Sequence, residues 1–296
     1  MYDVIVLGSG PAGLTAALYT ARAKKKTLVL GGDSFGGQLN VIHSLENYPG
    51  FIGTGPALGE FMKKQAMDAG AELEMEEAAK ISAADAGFAI ATKSGKEYSA
   101  RALIIATGAK PRKMEVKGAK EFLGRGVSYC ATCDGFFYND KEVIIVGGGN
   151  SALSDALYMA NIAKTVKIVY RKDSFARAEQ VLVDRVKEKA NISVMWHTEL
   201  AEVGGSEEGV AFVVTTKGEK ILCDGVFVAI GHEANTDYLN ENIARDNMGR
   251  LVPEAMPTGM YIAGDVRSGI KMQVATAVGW GCEVAMDAIA FLNAKK

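Results

Sequence analysis

The sequence has no excess of basic residues, no long uninterrupted apolar run and no basic start. Its 33 Lys and Arg residues nearly balance 35 Asp and Glu residues, giving a formal net charge of -2 at pH 7. This balance removes the general electrostatic case for nucleic-acid binding. No apolar run approaches the ~20 residues that span a bilayer, and the first residues, MYDVIV, lack the basic segment of a signal peptide. We therefore expect a cytoplasmic protein with neither a nucleic-acid nor a membrane partner.

Cysteine is also scarce, with four residues in a chain of 296. So few cysteines in a chain of this length exclude a disulfide scaffold of the secreted type. Hydrophobic residues make up 48% and charged residues 23%, which is the composition of an ordinary globular protein of about two domains. Cys223 and Cys282 stand alone in the sequence, whereas Cys130 and Cys133 form a C-x-x-C pair.

The sequence repeats itself loosely. Residues 3–21 (DVIVLGSGPAGLTAALYTA) resemble residues 142–160 (EVIIVGGGNSALSDALYMA). Each copy has an apolar run, a glycine turn and a helical pattern, and second apolar runs follow at 27–30 and 166–169. This order predicts the first βαβ unit of a doubly wound nucleotide-binding domain, present twice.

Further similarities extend the duplication. Residues 102–112 (ALIIATGAKPR) resemble residues 225–235 (GVFVAIGHEAN), and each segment follows a strand-like stretch with a hairpin turn, at 93–96 and 217–220. The tail, with a buried strand at 261–265 and a helix from about 273 to 292, is too short for a core of its own. We predict an α/β fold of two Rossmann-like dinucleotide-binding domains, each with the three-layer ββα arrangement of two β layers and one α layer. The first is discontinuous, 1–112 plus 243–296, and the second is 113–242.

The two glycine turns predict nucleotide sites of different kinds. Residues 8–13 (GSGPAG) match G-x-G-x-x-G, in which the glycines permit a tight turn, close approach of a pyrophosphate and close helix packing. The second copy, residues 147–152 (GGGNSA), is followed by Arg171, Lys172 and Arg177, which can neutralise an adenosine 2′-phosphate. A solvated basic loop is the alternative for these cations. The first copy is followed by GGD, without cations.

The segment CATCD, residues 130–134, is the sharpest local signal. Two thiols at this spacing can close a disulfide and carry two electrons. Zinc binding would require two further ligands, and no cysteine or histidine cluster supplies them in the sequence. Buried structural thiols are the third interpretation. Asp134, next to Cys133, can carry a proton to or from a thiol, or it is an ordinary turn residue.

The combination resembles the low-molecular-weight thioredoxin reductases of bacteria and archaea, essentially from end to end. The most specific segments are CATCDG at 130–135, the turn at 147–152, and GD at 264–265 followed by MQVA at 272–275. GGQL at 36–39 and ENYPG at 46–50 are similar to further family segments. The resemblance implies a homodimer that passes electrons from NADPH through FAD and the Cys130–Cys133 pair to thioredoxin or a thioredoxin-like protein.

The resemblance also assigns residues. It implies that Cys130 attacks the thioredoxin disulfide, that Cys133 faces the flavin, and that Asp134 donates and accepts the proton. No metal is implied. The implied FAD residues are Gly8, Gly10, Pro11, Ala12, Gly13, Gly37, Gln38, Leu39, Asn47, Ala106, Thr107, Gly108, Gly264, Asp265, Gln273 and Val274. The implied NADPH residues are Gly147, Gly149, Asn150, Ser151, Arg171, Lys172 and Arg177.

The chain departs from the family pattern in the second domain. Tyr170 stands where the family's cation motif begins with His, and Ala176 separates Phe175 from Arg177, which are adjacent in the family. Ala234 also replaces a family proline. Some relatives of this fold take electrons from ferredoxin or a deazaflavin, and others are dithiol oxidases that use oxygen. Both stay open as alternatives, as do the flavin component of a peroxide-reducing pair and a redox sensor without turnover. A ferredoxin–NADP reductase of related fold would lack the C-x-x-C pair.

Overall fold

The computed structural model describes residues 1–84, 87–239 and 243–294. The chain divides into two compact units, Met1–Lys110 with Glu233–Lys296, and Pro111–His232. The sequence-based domain boundary at 242 and the last two residues of the chain lie outside the described residues.

Strands outnumber helices along the described part of the chain. The strands are β1 (Tyr2–Leu7), β2 (Thr27–Leu30), β3 (Leu45–Tyr48), β4 (Phe51–Gly53), β5 (Glu72–Glu74), β6 (Ala78–Ala84), β7 (Gly87–Thr92), β8 (Glu97–Ile105), β9 (Ala109–Pro111), β10 (Val127–Ser128), β11 (Glu142–Val146), β12 (Thr165–Val169), β13 (Ile192–Met195), β14 (Leu200–Ser206), β15 (Gly209–Thr215), β16 (Lys220–Leu222), β17 (Gly225–Val228), β18 (His232–Ala234) and β19 (Met260–Ile262). The α-helices are α1 (Pro11–Arg22), α2 (Gly55–Asp68), α3 (Ala131–Asp134), α4 (Asn150–Met159), α5 (Gln180–Glu188) and α6 (Val274–Ala294). They follow β1, β4, β10, β11, β12 and β19 in turn. Short 3₁₀ helices occupy Gly37–Val41, Gly135–Tyr138, Pro253–Ala255 and Gly264–Val266.

The first unit is built on one sheet in the order β5-β2-β1-β8-β7-β6, with β19 also paired to β8. Strands β5, β2, β1, β8 and β19 run parallel, whereas β6 and β7 are antiparallel. Successive side chains of a strand point to opposite faces. Val4 and Val6 therefore pack on the face that α1 and α6 cover, and Ile5 and Leu7 pack on the face of the β6–β7 hairpin.

Helix α6 is long and apolar enough to be a candidate membrane span, although Thr276, Glu283 and Asp287 interrupt its apolar residues. Its 21 residues contain a window of mean hydropathy 1.3, so by length and composition alone it passes that test. A core helix passes the same test, and α6 buries Ala277, Gly281, Val284, Ala285, Ala288 and Leu292. A Cβ at Gly281 would lie 2.3 Å from the Ala12 carbonyl oxygen, so this face of α6 lies directly against α1.

The second unit repeats the architecture of the first. Its five-stranded sheet, β10-β17-β11-β12-β13, is wholly parallel, and β14, β15 and β16 form a separate antiparallel sheet. Val143 and Ile145 pack with α4 on one face, and Ile144 packs with Val203 and Val213 of the antiparallel sheet on the other. The predicted fold class, two similar α/β domains with the first discontinuous, is confirmed.

Candidate functional site

The first glycine turn joins β1 to α1 and leaves one open face. A Cβ at Gly8, where φ is +99°, would lie 2.3 Å from the Ala106 carbonyl oxygen. A Cβ at Gly13 would lie 2.0 Å from the Gly8 carbonyl oxygen. Nothing lies within 4 Å of a Cβ at Gly10, which precedes the first residue of α1. The turn therefore offers backbone N–H groups and the positive helix end to an anion that approaches over Gly10.

The segment after β2 returns to this turn. A Cβ at Gly37, where φ is +55°, would lie 3.0 Å from the Gly10 Cα atom. Gln38 Nε2 donates a hydrogen bond of 2.7 Å to the Ala109 carbonyl oxygen, and Leu39 is fully buried. The GGQL segment therefore forms one wall of the open face.

The end of β19 brings a carboxylate to the same unit. A Cβ at Gly264, where φ is +75°, would lie 2.9 Å from the Ala12 Cβ atom, which places Asp265 beside the first turn. Burial raises the pKa of Asp265, and the positive charge of Arg250 opposes this rise. Within the described ranges, the Asp265 carboxylate has no hydrogen-bond partner. An acceptor that is desolvated but unpaired suits a ligand hydroxyl.

Polar side chains continue around this face. Asn47 Nδ2 donates to Gln273 Oε1 at 3.2 Å, so the hairpin β3–β4 meets the start of α6. Thr107 Oγ1 lies 2.8 Å from both the Asn235 carbonyl oxygen and the Tyr238 hydroxyl. The turn itself is approached by residues from distant parts of the sequence, among them Gly37, Ala106 and Gly264. The remaining residues of the predicted FAD set lie in this unit as well: Pro11 at the start of α1, Gly108 with φ +65°, and Val274 at the start of α6.

The second glycine turn joins β11 to α4. A Cβ at Gly147, where φ is +145°, would lie 2.2 Å from the Ala229 carbonyl oxygen. Gly149 again faces open space at the start of a helix, and Ser151 is exposed. At the third position Ala152 is fully buried, so this turn accommodates a methyl group where the first turn does not. The second turn is equally able to bind an anion.

The cations predicted for this turn lie on the loop between β12 and α5. Arg171, Lys172 and Arg177 are all exposed. The backbone of Arg177 forms a β-bridge with Gly149, which brings it beside the turn even though Ala176 is inserted before it. The structure thus leaves all three cations exposed, with the backbone of Arg177 beside the turn.

Tyr170 covers the second turn, a position that sequence reasoning did not assign to it. Ring atoms of Tyr170 lie 2.5 Å from where a Cβ at Gly148 would be. Tyr170 stacks on Phe175 with ring centroids 5.7 Å apart, and Phe175 contacts Trp196 at 4.5 Å. This aromatic cluster fixes the start of the cation loop.

A second contact that the sequence did not reveal fixes the end of that loop. Asn150 Nδ2 donates to Glu179 Oε1 at 2.8 Å, and the Glu179 backbone N–H donates to Asn150 Oδ1 at 2.8 Å. The two residues lie 29 positions apart. No local sequence pattern predicts a contact between residues so far apart, so only the tertiary structure shows the Asn150–Glu179 pair.

The C-x-x-C pair forms a disulfide in the second unit. The Cα atoms of Cys130 and Cys133 are 5.3 Å apart, across the single turn of α3. The Cys130 N–H donates to Ser128 Oγ at 3.0 Å, and the Cys133 N–H donates to Cys130 Sγ at 3.1 Å. Cys133 is exposed and Cys130 is half-buried. Two sulfurs held by one turn can open and close a disulfide without rebuilding the unit.

Asp134 ends the turn that holds the disulfide. Its backbone N–H donates to the Cys130 carbonyl oxygen at 3.2 Å, and its side chain is half-buried. Burial raises the pKa of Tyr138, and the negative charge of Asp134 adds to that rise. The Asp134 carboxylate is thus close enough to Tyr138 for its charge to act on that hydroxyl.

An exposed apolar surface follows Asp134. Phe136 and Phe137 are 79% and 68% exposed, and their rings meet edge to face with centroids 6.0 Å apart. Exposed phenylalanines beside a disulfide are unusual on a free surface and suit a protein partner.

The other two cysteines do not join this site. Cys223 is buried, and burial raises the pKa of its thiol to about 12, so it is a poor nucleophile. Cys282 is half-buried on α6. Among residues 1–84, 87–239 and 243–294, no group of three or more His, Cys, Asp or Glu side chains is arranged to hold a metal ion.

Comparison with known proteins agrees with this arrangement. The sequence profile of the family "Pyridine nucleotide-disulphide oxidoreductase" matches residues 2–281. A thioredoxin reductase of Rickettsia felis is 42% identical over 98% of both chains. The crystal structure of Lactococcus lactis thioredoxin reductase superposes with a TM-score of 0.95, at 34% identity over 99% of this chain and 100% of that one. The thioredoxin reductase of T. acidophilum superposes with a TM-score of 0.91, at 33% identity over 98% of both chains.

Proposed function

Because the chain belongs to the pyridine nucleotide-disulphide oxidoreductase family, we propose that it passes electrons from NADPH through FAD and the Cys130–Cys133 pair to the disulfide of a thioredoxin. The observation that supports this most directly is the disulfide itself, on a single turn of a chain that also has two glycine turns of nucleotide-binding geometry. Ferredoxin or a deazaflavin as donor, and oxygen as acceptor, are less favoured alternatives.

The thiol chemistry follows from the pair. In the reduced enzyme the Cys130 thiolate attacks one sulfur of the thioredoxin disulfide, which forms a mixed disulfide and releases one thioredoxin thiolate. The Cys133 thiol then attacks Cys130 Sγ, which restores the Cys130–Cys133 disulfide and releases the second thioredoxin thiolate. Two electrons and two protons pass to thioredoxin, and Asp134 is the group proposed to relay a proton to a released thiolate.

FAD is the flavin proposed for the first unit. The open face at Gly10 suits a pyrophosphate, and the unpaired Asp265 carboxylate suits a hydroxyl of the flavin side chain. When bound, the flavin supplies two-electron redox chemistry between a pyridine nucleotide and a disulfide. The purified protein should be yellow and should release FAD, rather than FMN, on denaturation. A colourless protein that takes up no FAD would refute this proposal.

NADPH is the donor proposed for the second unit. Gly147, Gly149, Asn150 and Ser151 would meet its pyrophosphate region, and Arg171, Lys172 and Arg177 its 2′-phosphate. Anaerobic titration of the flavoprotein with NADPH, NADH and reduced ferredoxin separates the candidates. NADPH should bleach the flavin absorbance at the lowest concentration. Bleaching by ferredoxin or a reduced deazaflavin alone would replace this donor and leave the thiol chemistry intact.

Thioredoxin docking is proposed to use the exposed pair Phe136 and Phe137. These exposed rings lie two and three residues after Asp134 in the sequence, directly after the helical turn that holds the disulfide. A Phe136→Ser, Phe137→Ser variant should raise the KM for thioredoxin while reduction of a small disulfide reagent stays unchanged. Equal losses with both substrates would point to damage at the disulfide instead.

A homodimer is proposed from the outer face of α6. Met286 is 59% exposed, and Ala275, Gly279 and Ala290 on the same helix are exposed as well, so an apolar stripe lies opposite the face that packs on α1. Light scattering should give the mass of a dimer, and Met286→Lys should shift it toward the monomer. Met75→Lys, at another exposed methionine of this unit, is the control. A cytoplasmic location is likewise proposed, since Cys223 and Cys282 are unpaired thiols.

A further inference from the structure

We propose that Glu179 is a positioning residue for the NADPH 2′-phosphate, which acts by holding Asn150 and thereby the register of Arg177. The inference rests on the proposed NADPH site and adds a residue to it. Its basis is the reciprocal pair of hydrogen bonds that joins the end of the cation loop to the first residue of α4.

The pair restrains the loop at one end. Glu179 caps the start of α5, but its carboxylate makes no capping bond to that helix. It accepts from Asn150 Nδ2 instead, while its own N–H donates to Asn150 Oδ1, both at 2.8 Å. One of these bonds involves a carboxylate, and charge-assisted hydrogen bonds are stronger than neutral ones.

The aromatic cluster restrains the loop at the other end. Tyr170 lies over Gly148 and stacks on Phe175, and the Thr198 N–H donates to the Tyr170 carbonyl oxygen at 3.1 Å. Between these two anchors lie the exposed Arg171, Lys172 and Arg177. A loop fixed at both ends loses less conformational entropy when a ligand binds to it.

The position of Arg177 depends on the Glu179–Asn150 pair. Ala176 lengthens the stretch between Phe175 and Arg177, yet the Arg177 backbone still bridges to Gly149. Glu179 lies two residues beyond Arg177, and its partner Asn150 directly follows Gly149. The Glu179–Asn150 pair and the Arg177–Gly149 bridge therefore run alongside each other, and the first holds the second in place.

If Glu179 acted only through its negative charge, its removal would have the opposite effect on phosphate binding. A carboxylate close to the cation loop repels a phosphate dianion, so its removal would tighten phosphate binding if Glu179 acted only through its field. A positioning role requires the hydrogen-bond acceptor rather than the charge. Glu179→Gln removes the charge and keeps an acceptor for Asn150 Nδ2, whereas Glu179→Ala removes both.

The experiment uses the full-length flavoprotein and two probes, adenosine 2′,5′-bisphosphate and 5′-AMP, with affinities measured by calorimetry. Glu179→Ala should weaken the 2′,5′-bisphosphate about threefold to tenfold, the equivalent of roughly one hydrogen bond, and leave 5′-AMP within about twofold. Glu179→Gln should stay within about twofold of the unsubstituted chain for both probes. In turnover, Glu179→Ala should raise the KM for NADPH more than the KM for NADH.

Controls separate this inference from the site on which it rests. Glu188→Ala makes the same change of charge at the far end of α5 and should have no effect. Unchanged binding in Glu179→Ala, or tighter binding in both the Ala and the Gln variants, overturns the positioning role. Equal weakening of both probes also overturns it, because the 2′-phosphate would not be involved. Full affinity in Arg177→Ala would instead refute the proposed phosphate site, and the inference with it.

Discussion

The two glycine turns both join a strand to a helix but differ at the last position of the G-x-G-x-x-G pattern, Gly13 in the first turn and Ala152 in the second. Gly13 has no room for a methyl group, since its Cβ would lie 2.0 Å from the Gly8 carbonyl oxygen. Ala152 occupies the equivalent place, is fully buried, and has its Cβ 3.1 Å from where a Cβ on Gly147 would be. The residue at the third glycine position therefore depends on how closely the helix approaches its turn. The open second position, Gly10 or Gly149, is common to both turns.

The two units also differ in what has been added to each turn. The first unit places the half-buried Asp265 beside its turn. The second places the backbone of Arg177 beside its turn and holds the disulfide. The two units thus carry different side chains around similar turns, and each difference between the units can be tested by removing it.

The disulfide is the largest difference, because the first unit has no counterpart to it among its described residues. Cys130→Ser and Cys133→Ser should each abolish thioredoxin reduction, since a single thiol cannot form the disulfide again. A thioredoxin variant with one active-site cysteine, held as a mixed disulfide with a small thiol, should form a stable covalent complex with Cys133→Ser: Cys130 attacks the thioredoxin sulfur and the small thiol leaves. Mass spectrometry detects the complex. Complex formation by Cys130→Ser alone would assign the attack to Cys133, the more exposed sulfur.

Asp134 comes next in expected effect. Asp134→Asn should lower turnover with thioredoxin by roughly 10²–10⁴-fold, the usual range for general acid–base catalysis. Reduction of the flavin by the donor, followed in a stopped-flow spectrometer, serves as the internal control and should not change. Near-normal turnover would return Asp134 to the role of a turn residue.

The cation loop is the proposed basis of a preference for NADPH over NADH. Arg171→Ala together with Lys172→Ala should raise the KM for NADPH on the order of ten- to a hundredfold, because charged contacts are lost, and change the KM for NADH little. Lys141 and Lys164 directly precede β11 and β12, at the opposite end of these strands from the cation loop. Replacing both with alanine removes the same charge and is the matched control. An unchanged preference for NADPH would favour the solvated basic loop.

Exchanging the third residues tests the packing difference directly. Gly13→Ala should lower the free energy of unfolding by about 1–3 kcal/mol, because the added methyl group is forced against the Gly8 carbonyl. Ala152→Gly should cost only about 1 kcal/mol, the helix propensity of alanine over glycine. Denaturant unfolding measures both changes, and flavin release should accompany only the first. Equal costs would show that the two helices approach their turns alike.

Local pattern predicted the framework of both units well. The apolar run at 27–30 is β2, the run at 166–169 is most of β12, and the hairpin turns at 93–96 and 217–220 follow β7 and β15. These elements could be predicted from the sequence because alternating or continuous apolar runs reflect burial by immediate neighbours in the sheet. The strands β6 and β14, which complete the antiparallel layers, were not predicted. Their sequences, AAKISAA and LAEVGGS, carry weak alternation and are rich in small residues.

Fewer of the candidate site residues than of the strands and helices could be predicted from local sequence patterns. The glycine turns and the C-x-x-C pair follow from spacing, because each acts within a few residues. Asp265, Gln273 and Asn47 were named through resemblance, since no local rule brings residues 226 positions apart into contact as Asn47 and Gln273 are. The Glu179–Asn150 pair was missed for the same reason. Long-range contacts depend on the packing of whole elements, which a single sequence does not encode locally.

Strand β8 also sets an order of events during synthesis. One edge pairs with β1, while the other is shared, with residues 97–100 paired to β7 and residues 103–105 paired to β19. β19 leaves the ribosome about 160 residues after that edge, on the order of ten to thirty seconds at typical translation rates. The second unit lies wholly within this interval and is free to fold first. The nascent first unit meanwhile exposes an unpaired strand edge and the face of α1 that α6 later covers, so chaperone binding should concentrate there.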